Sequence, residues 1–343
     1  MRIALDATYS VDPRPSGIAV YSQELMTGLA ERYATDEFVF AYRWKQFRRA
    51  ARPARNNVQR RLLLPPVSVF RADVFHALNQ RLDTRLARHT ISTFHDLFVM
   101  TAEYSSPEFR ARFTEQAKRA ASNSDRIVTV SEFTAQQVST LLGFEPGRIR
   151  VIPHGVRVCR GPEGQTRERM ILFVGALQVR KNIVRLVEAF ERLPVEWRLV
   201  LAGSNNGYGS DAILKRIEAS PARERIDVLG YVDGPKLDRL YARAALFAFP
   251  SLDEGFGIPV LEAMAHGTPV VSSRRPSILE VAEGAALLVN PEDVDQIENA
   301  LSSVIANPDL SKDLSVKGLT RARQFSWERA VKATYDLYRE ILD

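Results

Sequence analysis

The segment from Glu254 to Glu262 is the part of this 343-residue sequence best suited to chemistry, because two carboxylates flank a glycine-rich turn. Gly257 lets the backbone approach a ligand closely, and Pro259 favours the first turn of a following helix. The free amides near Gly257 and Ile258 would then face an anion. Carboxylates beside such a site can accept hydrogen bonds from sugar or ribose hydroxyls. The alternative is a surface loop followed by a core helix with an exposed acid.

Two adjacent cations, Arg180 and Lys181, follow an apolar run at residues 171–175. A guanidinium can bind phosphate with two prongs and an ammonium adds a point charge, so the pair suits a diphosphate. Asn182 is placed to cap the helix that follows. The spacing matches neither glycine-rich nucleotide fingerprint. The alternative is a pair of solvated surface cations.

The first half offers fewer candidates. Gly17 opens a helix and His95 ends an apolar run, so both could face a ligand at a carboxyl strand edge. His76 is a second candidate, at the rim of a cleft, whereas His154 is interpreted as a linker residue. The alternative for each histidine is a packing or surface role. No Ser/His/Asp set has interpretable spacing, so no nucleophile is assigned.

Metal ligands and cysteines are scarce. The Asp-x-Asp pattern at Asp293 and Asp295 follows a proline and is interpreted as helix-start charge. Cys159 is the single cysteine, which excludes an internal disulfide and a thiolate metal cage and favours a reducing compartment. No apolar run could span a bilayer, and an acid at position 6 argues against a signal peptide. We therefore expect a cytoplasmic protein without a metal site.

Short apolar runs alternate with segments of helical periodicity along nearly the whole chain, which is typical of parallel sheets covered by helices. A polar, glycine-rich stretch at residues 160–169 interrupts this pattern and is interpreted as a linker. We predict an α/β protein with two doubly wound domains and a ligand cleft between them. The predicted strands cover residues 3–7, 37–42, 74–77, 91–94, 127–130 and 149–152, then 171–175, 197–202, 226–229, 246–249, 269–272 and 286–289.

The length suits two domains at about 150 residues each. With 45% hydrophobic and 26% charged residues, the composition is that of an ordinary globular protein. The predicted domains cover residues 1–160 and 161–325. A last helix occupies residues 326–343, with Ser326 as its cap.

The formal net charge of +6 is unevenly spread, because no acid lies between Glu37 and Asp73. This acid-free block, residues 38–72, also holds Trp44 and Phe47. It favours an anionic partner, and an acidic membrane surface contacted between Arg43 and Arg61 is the one we prefer. The alternatives are a solvated loop with helical ends and a surface that binds an acidic acceptor in solution, and no recognised nucleic-acid module surrounds the block. Its cations are Arg43, Lys45, Arg48, Arg49, Arg52, Arg55, Arg60, Arg61 and Arg71.

The motif from Glu254 to Glu262 and the Arg180-Lys181-Asn182 cluster together resemble the retaining glycosyltransferases of family 4, which have the GT-B architecture. Further matching pieces follow in order: Ser16-Gly17, Phe94-His95-Asp96, Val130-Ser131, Ile152-Pro153-His154-Gly155, Leu229-Gly230-Tyr231 and Phe325-Ser326-Trp327. The resemblance covers nearly the whole chain. One departure is Ser16-Gly17, where many relatives carry two glycines.

The resemblance implies a division of labour between the two domains. The first domain would bind the acceptor and the second the nucleotide sugar, and the last helix would cross back onto the first domain. Arg180 and Lys181 would hold the diphosphate and neutralise the leaving group without a metal ion. Glu254 and His95 would hold the donor sugar. The remaining donor contacts would come from Gly17, Gly230, Tyr231, Phe256, Gly257, Ile258 and the ribose ligand Glu262.

The resemblance implies a hexosyltransferase, and mannose from GDP-mannose is the preferred donor. The acceptor would be a saccharide, free or lipid-linked. Three alternatives remain open: a UDP-sugar donor such as UDP-glucose or UDP-GlcNAc, a sugar-nucleotide epimerase, and a non-catalytic nucleotide-sugar-binding protein. An epimerase would need more acids and histidines in its cleft than this sequence offers.

Overall fold

The computed structural model describes residues 1–13, 15–64, 71–158 and 167–343. The chain divides into two compact units. Unit 1 comprises Met1–Gly155 and Ser326–Asp343, and unit 2 comprises Val156–Phe325. Cys159 and most of the predicted linker lie outside the described residues. Among the residues described, no helix is both long and apolar enough to cross a membrane.

Unit 1 is built on a parallel sheet of seven strands in the order β3-β2-β1-β4-β5-β6-β7. The strand order changes direction between the neighbours β1 and β4. This is the topological switch point, where open α/β sheets bind ligands. The strands are β1 Arg2–Asp6, β2 Glu37–Tyr42, β3 Val58–Leu62, β4 Val74–Ala77, β5 His89–Phe94, β6 Arg126–Thr129 and β7 Ile149–Val151. The helices in this part of the chain are α1 Gly17–Arg32, α2 Trp44–Arg49, α3 Phe98–Thr101, α4 Pro107–Ser122 and α5 Glu132–Leu142.

Strand β3 was not predicted, because its sequence lies inside the acid-free block, to which we assigned no strand. Val58 is buried, but Gln59, Arg60 and Arg61 stay partly or fully exposed. Polar side chains are tolerated there because β3 is the edge strand of the sheet and pairs only with β2. The other predicted strands of this unit are confirmed, with small shifts at their ends.

Unit 2 is built on a parallel sheet of six strands in the order β10-β9-β8-β11-β12-β13. All six predicted strands are confirmed, and the switch point lies between β8 and β11. The strands are β8 Glu168–Val174, β9 Arg198–Ala202, β10 Ile226–Gly230, β11 Ala244–Phe249, β12 Val270–Ser273 and β13 Leu287–Val289. The helices are α6 Ile183–Glu191, α7 Ser210–Glu218, α8 Gly234–Arg243, α9 Ile258–Ala265, α10 Pro276–Ala282, α11 Val294–Ala306 and α12 Pro308–Ala322.

The last helix, α13 Trp327–Glu340, packs on α1 and belongs to the core of unit 1. Its predicted cap is confirmed, since Ser326 Oγ accepts a hydrogen bond from the Arg329 amide. A close approach of the two helices requires glycine at position 28, because a Cβ there would lie 2.6 Å from Val331 Cγ2. The tail of the chain therefore contributes to the fold of the amino-terminal half.

Candidate active site

The strongest candidate site lies at the carboxyl edge of the unit 2 sheet, where β8 and β11 are neighbours. The loop after β8 carries Arg180 and Lys181, and the loop after β11 carries Glu254. Arg180 Nη1 lies 3.0 Å from one carboxylate oxygen of Glu254, and Lys181 Nζ lies 2.5 Å from the other. The two motifs that the sequence singled out separately thus form one ion cluster.

The Glu254 cluster, which we define as Arg180, Lys181 and Glu254, is largely removed from water. Lys181 is 6% exposed and Glu254 is 8% exposed. Burial raises the pKa of Glu254, but the charges of Arg180 and Lys181 outweigh it and hold that pKa below its ordinary value. The Lys181 ammonium also lies 4.6 Å from the centre of the Phe249 ring. Two cations share one carboxylate, so the cluster keeps an excess positive charge.

Asn182 fixes the loop that carries the two cations, although not in the way we predicted. It occupies the N-cap position of α6, but its side chain makes no capping hydrogen bond. Instead, Asn182 Nδ2 donates to the carbonyl oxygens of Pro250 at 3.0 Å and Pro291 at 2.5 Å. Its backbone is left-handed, with φ of 58°, which asparagine tolerates better than most residues. The capping prediction was wrong because Asn182 Oδ1, the atom that would accept from a helix amide, accepts instead from Arg185 Nη1 at 3.0 Å.

The turn before α9 has the geometry expected of an anion site. Gly257 occupies the N-cap position with φ of 103°, and a Cβ there would lie 2.6 Å from Ile278 Cδ1. Pro259 stands in the first turn, as predicted. Among the described residues, none accepts a hydrogen bond from the backbone amide of Gly257 or Ile258. Both amides therefore remain available to an anionic ligand.

The second carboxylate, Glu262, is held by a different partner. Its Oε2 accepts a hydrogen bond from the Tyr241 hydroxyl on α8 at 2.9 Å. Burial raises the pKa of Glu262 to about 7, with Asp238 adding to the rise and the Tyr241 hydrogen bond opposing it. Sequence reasoning missed Tyr241 because helix periodicity marks it as a core residue. The available signal was its hydroxyl, which needs a partner when the ring is buried.

Gly230 ends β10, and the next residue, Tyr231, lines a cavity of about 510 Å³ in unit 2. Gly230 has φ of 68°, and a Cβ there would meet no atom within 4 Å. Tyr231 is 38% exposed, which suits a side chain that stacks on a flat ligand. Phe256, by contrast, is buried and packs edge-on against Phe325. Only its backbone is therefore suited to a ligand.

His95 and His154 form a buried pair in unit 1. His95 Nε2 lies 2.9 Å from the Leu78 carbonyl oxygen, so this nitrogen carries the proton. Burial lowers the pKa of His95 to about 4, which keeps the ring neutral at neutral pH. His154 stacks on His95 with ring centres 5.4 Å apart and is 3% exposed. The interpretation of His154 as a linker residue was therefore wrong.

His76 does not lie at the rim of a site, as we expected, but is fully buried. Its Nδ1 lies 2.6 Å from the Tyr338 hydroxyl on α13, and its Nε2 lies 2.8 Å from Thr93 Oγ1. The buried ring of His76 therefore joins β4 to the last helix. Gly17, in contrast, is exposed as the first residue of α1.

The predicted Asp-x-Asp interpretation is confirmed, because Asp293 caps α11 by accepting a hydrogen bond from the Gln296 amide at 3.0 Å. Within the described ranges, no three His, Cys, Asp or Glu side chains are grouped as metal ligands would be.

Comparison with known families agrees with this geometry in both halves of the chain. Residues 15–160 match the family described as Glycosyltransferase Family 4, and residues 160–321 match the family described as Glycosyl transferases group 1. O-antigen chain mannosyltransferase B of Escherichia coli is 32% identical over 283 residues, which cover 78% of this chain and 74% of that protein.

Solved structures share the fold. Sucrose-phosphate synthase from Thermosynechococcus elongatus superposes with a TM-score of 0.79 at 21% identity, covering 100% of this chain and 99% of that one. HepE of Anabaena in complex with UDP-glucose superposes with a TM-score of 0.73 at 17% identity, covering 100% and 99%. The predicted fold class and family are confirmed: the chain belongs to the group 1 glycosyltransferases of the GT-B fold.

Proposed function

We propose that this glycosyltransferase is a retaining hexosyltransferase that moves mannose from GDP-mannose to a saccharide acceptor, free or lipid-linked, without a metal ion. The observation that carries the proposal is the Glu254 cluster. It offers one buried and one partly buried cation, with one carboxylate, at a carboxyl sheet edge. Positive charge held out of water is what a departing nucleoside diphosphate requires.

Arg180 and Lys181 bind the diphosphate in this proposal and stabilise the charge that develops as the glycosidic bond breaks. The excess positive charge of the cluster stabilises the leaving diphosphate electrostatically, which is the role that a metal ion would otherwise have. Glu254 keeps both cations in position before the donor arrives. Glu254 also accepts a hydrogen bond from a hydroxyl of the donor sugar, because its two oxygens have more lone pairs than the two cations occupy.

The nucleoside half of the donor falls to groups near α9 and β10. The free amides of Gly257 and Ile258 bind phosphate oxygens, and Glu262 accepts the ribose hydroxyls. The backbone of Gly230 and the exposed ring of Tyr231 contact the base. The amides of Gly257 and Ile258 have no acceptor among the described residues, and Glu262 holds spare acceptor capacity, so binding the phosphates and ribose costs few existing hydrogen bonds.

His95 serves as an acceptor rather than as an acid in this proposal. Because Nε2 donates to Leu78, the unprotonated Nδ1 is the nitrogen that can accept a hydrogen bond from a sugar hydroxyl. The low pKa of His95 supports the neutral form at working pH. No nucleophile is assigned, and Glu254 is a poor one because two ion pairs hold its charge.

The choice of mannose rests on the relative from Escherichia coli, whose name specifies mannosyl transfer. UDP-glucose remains the alternative donor, because HepE is a structural neighbour solved with it. Donor hydrolysis without an acceptor separates the two. The protein is incubated with GDP-mannose, UDP-glucose and UDP-GlcNAc in a chelator, and release of free sugar is measured. We expect a clear preference for GDP-mannose. Preference for a UDP-sugar refutes the donor assignment, and no release above background from any of them favours a non-catalytic binding protein.

We also propose that the protein lies at the inner face of a membrane. Helix α2 has no buried residue, and Trp44 is 58% exposed. Some cations of the acid-free block are occupied, since Arg43 pairs with Asp83 and Arg55 with Glu31. Lys45, Arg48, Arg49 and Arg52 are exposed and form no ion pair with any residue the structure describes. Each contributes about 1 kcal/mol at an anionic surface.

Co-sedimentation with vesicles tests the membrane proposal. We expect binding to vesicles that contain phosphatidylglycerol and little binding to pure phosphatidylcholine. Arg48→Gln combined with Arg52→Gln should weaken it, and rising salt should abolish it. The matched control is Arg112→Gln with Lys118→Gln, two exposed cations of α4. Equal binding to both kinds of vesicle, or equal effects of the two double variants, removes the proposed role.

A further inference from the structure

Arg167 lies directly before β8 and joins the ends of two helices of unit 2, α8 and α9. Its Nη2 donates to the carbonyl oxygen of His266, the residue after α9, at 2.8 Å. Its Nη1 lies within hydrogen-bond distance of four oxygens, which are the carbonyl oxygens of Tyr241 at 3.0 Å, Ala242 at 3.2 Å and Ala244 at 2.8 Å and the hydroxyl oxygen of Thr268 at 2.9 Å. One guanidinium thus contacts the backbone at both helix ends.

The partners of Arg167 are all neutral, although its side chain is half-buried. Burial lowers the pKa of Arg167, and no acid among the described residues opposes that effect. The two helix ends take the place of a counter-ion, because the carbonyl end of a helix carries partial negative charge. A guanidinium suits this position, since its N–H groups form a planar fork, whereas a lysine ammonium is a compact point charge. The cation is therefore well solvated by protein only while both helix ends stay close together.

The two helices that Arg167 joins carry the two members of one hydrogen bond. Tyr241 on α8 donates to Glu262 Oε2 on α9, and Arg167 binds the backbone carbonyl of Tyr241 itself. The His266 ring stacks on the Tyr241 ring with centres 5.2 Å apart, and its Nδ1 lies 2.9 Å from the Glu262 carbonyl oxygen. Thr268 Oγ1 donates to the Tyr241 carbonyl oxygen at 2.7 Å. Arg167, His266 and Thr268 therefore hold the backbone on which this hydrogen bond depends.

The hydrogen bond from Tyr241 to Glu262 tolerates little movement between the helices. Its length of 2.9 Å is near the upper end of the range for O–H···O bonds, and at about 3.6 Å no such bond remains. Tyr241 is 1% exposed, so its ring is confined by packing and cannot follow a displaced carboxylate. Separation of α8 from α9 would therefore cost Glu262 its hydroxyl partner.

We propose that Arg167 is a positioning residue of the nucleoside site: by tying the end of α8 to the end of α9, it keeps the Tyr241 hydroxyl on Glu262. The inference rests on the proposed function, in which Glu262 accepts the ribose hydroxyls. Arg167 makes no contact with the donor in this account and acts only through the two helices. A clamp that served the fold alone would stabilise the protein without changing the state of the Glu262 carboxylate.

Calorimetric titration of the full chain with GDP-mannose, on both sides of neutral pH, tests the inference. The Tyr241 hydrogen bond lowers the pKa of Glu262, which is about 7, so Tyr241→Phe should move the midpoint of the pH dependence upward. It should also weaken binding about fivefold at neutral pH, as loss of one hydrogen bond requires. Arg167→Lys should change both quantities in the same direction. Asp238 and His266 also titrate nearby, and Glu262→Gln, which leaves both in place, shows whether the midpoint belongs to Glu262.

The double variant Arg167→Lys with Tyr241→Phe separates positioning from a general loss of stability. If Arg167 acts through the Tyr241 hydroxyl, the double variant should bind GDP-mannose no more weakly than Tyr241→Phe alone. The kcat for donor hydrolysis at saturating donor should stay within about twofold of the unchanged protein, because only binding common to ground and transition states is lost.

Unit 1 offers a matched control for each substitution. Arg148 donates to the carbonyl oxygens of Ser124 at 2.8 Å and Asp125 at 2.9 Å, and the Tyr335 hydroxyl donates to Asp36 at 2.6 Å. These are the same kinds of contact on elements that carry no part of the nucleoside site. Arg148→Lys and Tyr335→Phe should leave the affinity for GDP-mannose and the midpoint unchanged.

Thermal melts check that each variant folds. Thr268→Val removes one partner of Arg167 and keeps the guanidinium, so it should give a smaller upward shift of the midpoint even if Arg167→Lys does not fold. An unchanged midpoint in the folded variants, or additive losses of affinity in the double variant, overturns the inference and leaves the proposed function intact. Binding of GDP-mannose that Glu262→Gln does not alter would instead refute the ribose role of Glu262, and this inference with it.

Discussion

At the scale of single residues, the proposed chemistry depends on an imbalance of charge. Glu254 is shared by Arg180 and Lys181, and all three lie at the edge of one sheet. A fully neutral cluster would be a structural ion pair with little reason to bind a diphosphate. In the proposed function, the excess cation makes the cluster a diphosphate site that is assembled before the donor arrives.

Lys181→Ala should reduce turnover more than it weakens donor binding, because its charge matters most as the diphosphate leaves. Loss of one such group costs about 100-fold or more in kcat. The measurement is kcat and KM for donor hydrolysis, with Lys215→Ala, an exposed lysine of α7, as control. An unchanged kcat with only a raised KM would contradict the role given to Lys181.

The raised pKa of Glu262 predicts a pH dependence of donor binding. Ribose hydroxyls donate to the charged carboxylate, so affinity for GDP-mannose should rise as pH increases through about 7 and level off above it. GDP-mannose is a better probe than GDP, because the diphosphate of GDP-mannose has no group that titrates in this range. Glu262→Gln should bind more weakly at pH 8 and lose the dependence. A pH profile that survives this substitution would assign the titration to another group.

The candidate site residues were easier to predict than the residues that hold them in position. Arg180, Lys181 and Glu254 stand out because charged side chains after apolar runs mark the carboxyl ends of strands. Tyr241 and the carbonyl partners of Asn182 are far away in sequence. Only the packing of α8 against its neighbours, and of the loop after β11 against α6, brings them together. A sequence read one segment at a time contains no such information.

At the scale of elements, reading one segment at a time also limits what could be predicted of strand β3 and helix α13. Buried central strands are predictable because both faces demand apolar residues. An edge strand such as β3 keeps one side in water, so its arginines hide the pattern. Helix α13 was predictable as a helix from its cap at Ser326. The polar link from His76 to Tyr338 within it was not, because each residue alone fits a packing role.

The contact between α1 and α13 can be tested with a pair of substitutions. Gly28→Ala should raise stability by about 1 kcal/mol through helix propensity alone. The added Cβ meets Val331 at 2.6 Å, so we expect a lower melting temperature instead. In a Val331→Ala background the space is free, and the same substitution should be stabilising. An effect of the same sign in both backgrounds would mean that the helices do not pack as described.

At the scale of the whole molecule, the sequence specifies two parallel sheets because the same strand-helix pattern begins again after residue 167. Each sheet has its own switch point, between β1 and β4 and between β8 and β11. The switch point of unit 2 carries the Glu254 cluster. The duplication supports the proposed division of donor and acceptor between the two units.

The anomeric configuration of the sugar released from GDP-mannose tests the central claim most directly. The donor is incubated with the protein in a chelator, and the first sugar released is observed by proton NMR before it equilibrates in water. Retention predicts that α-mannose appears first, matching the configuration in the donor, and that manganese does not increase the rate. Initial release of β-mannose, or release only after manganese is restored, would contradict the account of a metal-independent, retaining mannosyltransferase.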